Sequence, residues 1–225
     1  MINLLKLSDP DRMPDELARL PSGQAMKHLF TLICSADEEI KWRAVTGMGI
    51  VVSEMAKKDM EAARKVMRRL MWSLNDESGA VGWGAPEAMA EIMARSEELA
   101  KEFAHILVSY TRPDGNYLEF EPLLRGAIWG IGRLAQARPQ LLQEAADYLT
   151  RFLESTDPTI RGLAAWALGL IGKEAACPKL EKLLGDNSEM KIFLDNGEVL
   201  YKVRDLAHDA LISCRKTTGL SPLSS

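Results

Sequence analysis

Histidine, cysteine and long apolar runs are all scarce in this chain of 225 residues, and each scarcity removes a class of function. The three histidines, His28, His105 and His208, lie about 80 and 100 residues apart with no HxxxH or CxxC companion, which argues against a metal centre. Three widely spaced cysteines, Cys34, Cys177 and Cys214, read as free thiols of a reducing compartment. No stretch approaches the roughly 18 apolar residues that a membrane span requires. The first residues carry Lys6, Asp9, Asp11 and Arg12 where a secretory leader would hold its apolar centre. A cytoplasmic protein without membrane contact is the expectation. A surplus of positive charge is missing too: 28 Lys and Arg against 32 Asp and Glu leave a net charge of −4. Surfaces built to neutralise phosphates are usually basic, so nucleic acid is disfavoured as a partner. There is no GxSxG elbow and no Cys/His pair that reads as a nucleophile. Gly79–Gly84 is glycine-rich but lacks the Lys-Ser/Thr of a phosphate loop, so no cofactor is expected.

What is abundant is a repeated helical pattern. The clearest unit runs from Asp157 to Gly172. Asp157 suits an N-cap and Pro158 the first helical position, where a missing N–H costs nothing. Ile160, Ala164, Ala167, Leu168 and Ile171 then fall on one face. Aligning the small central residue of each unit gives Ala44, Ala85, Ala127, Ala164 and Ala207, with steps of 41, 42, 37 and 43 residues. An amphipathic segment precedes each: Asp15–Ser35, Met60–Leu74, Glu97–Tyr110, Gln140–Glu154 and Glu174–Leu184. The pattern predicts outer helix, turn, inner helix, five times over. Gly47, Gly49, Gly130, Gly132 and Gly169 sit inside predicted helices, as do Gly126 and Gly162. Each helical glycine costs about 1 kcal/mol against alanine, a cost that close helix packing offsets.

These units resemble HEAT repeats of the bacterial type, in which D-P-x-[IV]-R-x-x-A-A-x-A-L-G opens the second helix. The match is strong at Asp157–Gly169 and Val203–Leu211. It is weaker in the second and third units, where Gly82 and Leu124 replace the basic residue. The resemblance implies an all-α fold, an α-solenoid of about five HEAT-like helix pairs forming a single domain over 1–225. Its repeats fall at approximately 14–57, 58–95, 96–137, 138–173 and 174–214, with a tail at 215–225. The last repeat carries an insertion: Lys191–Leu194 and Glu198–Tyr201 flank Asp195-Asn196-Gly197, a strong hairpin signal. A short β-hairpin is expected there, capping the open end of the stack, with docking of a partner as the alternative.

Outward positions of the inner helices are the natural binding face of such a stack. They hold Trp42 and Trp83 at one equivalent position and Trp129 and Trp166 at another, one turn along. Arg125, Arg133 and Arg161 flank them and would add donors for carboxylate or phosphate. The alternative is packing, each ring filling a gap opposite a small residue such as Gly126, Gly130 or Gly162. Trp72, on an outer helix, is assigned to the core. Asp205 with Asp209, and Glu87 with Glu91, are spaced as carboxylate pairs but also as ordinary solvated helix faces. The expectation is a non-enzymatic scaffold that binds a protein or peptide on its concave face, with no catalytic residues. The same fold type also implies two alternatives. One is an enzyme resembling an alkylpurine DNA glycosylase or a bilin lyase, and the other is a self-associating module.

Overall fold

The computed structural model describes Leu17 and residues 22–75, 82–194 and 197–217. The leader reading at Met1–Pro14, the first part of the Gly79–Gly84 turn, the hairpin tip at Asp195-Asn196 and the last eight residues lie outside that range. Among the described residues there are ten α-helices and one two-stranded sheet. In chain order the helices are α1 (Ser22–Leu32), α2 (Glu38–Lys58), α3 (Met60–Leu74), α4 (Ala85–Arg95) and α5 (Glu97–Ser109). There follow α6 (Glu121–Ala137), α7 (Ala145–Leu149), α8 (Pro158–Ile171), α9 (Cys177–Lys182) and α10 (Val203–Thr217). Strands β1 (Glu189–Leu194) and β2 (Gly197–Lys202) separate α9 from α10.

The even-numbered helices are the inner helices of the repeat pattern. Ala44, Ala85, Ala127, Ala164 and Ala207 are all fully buried at their contacts. Sequence-local chemistry sets the helix ends. Asp37 accepts from the Ile40 N–H to open α2, and Asp157 accepts from the Thr159 N–H to open α8. Asp59 does two jobs: its N–H donates to the Met55 carbonyl, closing α2, while its carboxylate accepts from Ala62 N–H, opening α3. α8 stops at Gly172, whose φ of 76° needs no Cβ penalty.

The chain divides into two compact units, Met1–Leu107 and Val108–Ser225. In the first, α2 packs on α1, α3 and α4. In the second, α8 lies between α6 and α10. A Cβ on Gly169 would sit 2.7 Å from the Ala210 Cα, so this glycine permits the close crossing of α8 and α10. The outer segments of the second unit are short. Gln140–Glu154 becomes two 3₁₀ turns around the five-residue α7, and Glu174–Leu184 becomes the six-residue α9 between two more.

One expectation is corrected here. Trp72 is 78% exposed, not core. The buried positions of α3 are Ala63, Met67, Leu70 and Leu74, and Trp72, two residues past Leu70, points away from that stripe. The hairpin is where the sequence placed it, with Met190 opposite Tyr201 and Leu194 opposite Gly197. Met190 seats against Gly162 of α8, close to where Leu206 of α10 approaches the same glycine, and the Phe193 carbonyl accepts from Trp129 of α6, so the hairpin lies against the inner helices.

Candidate functional site

In the second unit the hairpin decides what the inner-helix face can do. Alternation along the strands sends Met190, Ile192 and Leu194 to the face shared with Val199 and Tyr201. Met190 and Ile192 are buried there. A Cβ on Gly162 would run into the Met190 sulfur, so the glycine is the seat of the hairpin. Trp129 is only 5% exposed, and its indole Nε1–H donates to the Phe193 carbonyl at 2.8 Å. Trp166 is half-buried, with its ring occupying the place where Gly132 has no side chain. Trp166 therefore packs on a neighbouring helix through its glycine, and Trp129 holds the hairpin through its indole N–H.

The flanking arginines are engaged within the chain as well. Arg125 Nε donates to Asp157 at 2.6 Å, tying α6 to the N-cap of α8. Arg161 grips Asp186 at 2.7 Å and donates to the carbonyls of Ser155 and Thr156. Burial pushes the Asp186 carboxyl up, but bonds from Ser188 and Arg161 outweigh it and hold the group below the usual carboxylate range. Arg133 lies within 3.5 Å of the Gln136 side chain. Asp157 and Asp186, which follow the fourth and fifth outer segments, thus each clamp an arginine from the preceding inner helix, a link between successive repeats.

What the packing leaves open is a cavity of about 200 Å³. Its apolar walls come from Trp166 and Leu170 of α8, Ile192 and Leu194 of β1, Tyr201 of β2 and Leu206 of α10. Asp209 and Ser213 of α10, both exposed, stand at its mouth. The Asp205/Asp209 spacing already sets Asp209 on a solvated helix face from sequence alone. The hairpin walls are not foreseeable in that way, because no local signal says which helices a hairpin will cover.

The first unit shows a different use of the equivalent positions. Trp83 is 40% exposed and Trp42 is half-buried, with the Lys41 ammonium 4.9 Å from its ring centre. Glu87 is fully buried one turn past Trp83, and its Oε1 lies 3.7 Å from Lys41 Nζ. Its Oε2 has no hydrogen-bond partner among the described residues. Burial raises its pKa, against the partial opposition of Lys41. Glu91, the other half of that carboxylate pair, is instead held by Arg95 at 2.7 Å. His28, His105 and His208 are all exposed, and no cluster of metal-ligating side chains occurs among the described residues. Cys177 and Cys214, 37 positions apart, are brought together. The Cys214 thiol is pushed up to about 12 by burial first and by Cys177 second.

Comparison with known proteins finds repeat matches in the second unit. The chain contains HEAT-like repeats: residues 121–171 match the HEAT-like repeat, and residues 160–186 match the PBS lyase HEAT-like repeat. An uncharacterised protein of Archaeoglobus fulgidus is 28% identical over 149 residues, covering 66% of this chain and 75% of that protein. Among solved structures, a designed armadillo repeat protein in complex with the peptide (KR)4 matches with a TM-score of 0.55 at 22% identity, covering 95% of this chain and 97% of that one. A second, computationally designed for modular peptide recognition, matches at 0.51 and 20% identity, covering 94% and 97%. The fold is therefore that of the helical-repeat proteins, all-α apart from the hairpin. No helix among the described residues is long and apolar enough to cross a membrane.

Proposed function

We propose that the chain is a non-enzymatic helical-repeat scaffold that holds a protein or peptide partner on its inner-helix face. The observation that carries this reading is the cavity between α8, α10 and the hairpin, open beside Asp209 and Ser213. Its size supports a side-chain socket. An apolar hollow of about 150 Å³ takes up one benzene, whereas pockets for drug-sized ligands run to roughly 300–1,000 Å³. At about 200 Å³ this cavity suits one side chain of a partner and is small for a tetrapyrrole. Helical-repeat neighbours that hold peptides support the same reading. Of the tryptophans in the sequence row, Trp166 reaches this face directly, and Trp129 acts by fixing the hairpin that forms one wall.

The test places a photo-crosslinking amino acid at Ser213 in the full chain, with a control at exposed Lys101 on α5. Ultraviolet irradiation in lysate should join a discrete partner at 213 and not at 101. Equal labelling at both positions, or none at 213, would count against the scaffold reading.

A further inference from the structure

The chemistry of the cavity specifies more than a generic partner. We infer that the partner segment inserts one bulky apolar side chain, aromatic or branched aliphatic, and carries a lysine or arginine next to it. This rests on the scaffold reading of the same face. The apolar half comes from the walls. Trp166, Leu170, Ile192, Leu194 and Leu206 supply the larger, carbon part of the lining, beside the polar-bearing Tyr201, Asp209 and Ser213, so an apolar side chain set against those carbons gains burial there. The volume admits one side chain, so the anchor is a single residue.

The cationic half comes from charge complementarity at the mouth. Asp209 is the one charged residue lining the cavity, and its side chain is three-quarters exposed. Its ion partner is His208 at 3.7 Å, which carries charge only when protonated. Asp205, one turn earlier on α10, is already balanced by Arg204 at 3.4 Å. Asp209 is thus the carboxylate at this mouth whose ion pair, among the described residues, is with a histidine and not with a lysine or arginine. A cation reaching it from the residue beside the anchor would steer encounter and fix the direction of the bound segment.

Three pools of fluorescent dodecapeptides, random except for a central Phe-Arg, Phe-Glu or Ala-Arg, test both halves by anisotropy titration against the full chain. Phe-Arg should bind at least about tenfold tighter than either other pool, the range expected for one buried anchor or one matched charge. Ser213→Phe, which closes the mouth, should abolish that preference. Asp209→Lys should reverse the order of Phe-Arg and Phe-Glu, and the milder Asp209→Asn should level them. Circular dichroism melts of these surface variants should match wild type. Equal binding of Ala-Arg and Phe-Arg would overturn the apolar anchor, and an unchanged order in Asp209→Lys would overturn the cation. If no pool binds while the Ser213 crosslink still captures a partner, the scaffold reading stands and this inference falls.

Discussion

Glu87 and Asp186 show how bonding partners sort two acidic residues of one chain into opposite behaviour, although burial pushes both the same way. Asp186 receives bonds from Ser188 and Arg161, so its folded pKa lies below its unfolded value. The stability it contributes is present above the unfolded carboxylate range and is lost as pH falls through the folded pKa. Glu87 is the reverse case. Its pKa is raised by burial, so its contribution is fully present at low pH and is lost as pH rises through the folded value, above the usual glutamate value of about 4.3. Glu87→Gln removes that ionisation cost and should raise stability by about 1 kcal/mol at pH 8 and little at pH 4. Urea unfolding at the two pH values checks this, and equal effects at both would remove Glu87 from the explanation. Arg161→Lys keeps the charge but loses the fork that holds Asp186 and two carbonyls, and should cost about 1–3 kcal/mol. A melt unchanged within error would show that Lys suffices. Cys214, buried and with its thiol near 12, should resist iodoacetamide at pH 8 in the folded chain. Rapid alkylation there would mean that α10 opens readily.

At the level of elements, the hairpin is the feature that turns a helix stack into a shaped site. It is held at two places: Met190 against Gly162, and the Phe193 carbonyl against the Trp129 indole. Trp129→Phe deletes the second hold while keeping most of the ring, and should cost about 1 kcal/mol. Amide hydrogen exchange of β1 should quicken more than that of α8, and equal change in both would refute a local anchoring role. Gly169→Ala tests the neighbouring contact. The added methyl meets Ala210 backbone, not a flexible side chain, so α8 and α10 must separate, at about 1–3 kcal/mol. Periodicity made the inner helices legible, because a small residue recurs at each repeat centre and each of these alanines is fully buried. The hairpin too could be read, since alternation and Asn-Gly are local signals. Its landing place could not, because Met190 and Gly162 are 28 positions apart and neither announces the other. Trp72 failed for a simpler reason: an aromatic on an amphipathic helix was assigned by type, where its angular position set it outside the apolar stripe.

Across the whole molecule, the tryptophan row and its arginines turn out to divide by role. Trp129, Trp166, Arg125 and Arg161 join helices to one another or to the hairpin, while Trp83 remains substantially exposed. Side-chain type and spacing put all of them on one face, but spacing carries no information about which partners within the chain reach them first. The function proposed for the chain therefore centres on what that packing leaves free, the hollow beside Asp209 and Ser213, and less on the aromatic row itself. Hydrogen exchange of the full chain, alone and with the partner captured at Ser213, tests this most directly. Protection confined to 189–213 and the Trp166–Leu170 turn of α8 is the predicted result. Protection on α3 and α5, with the hairpin and α10 unchanged, would contradict it.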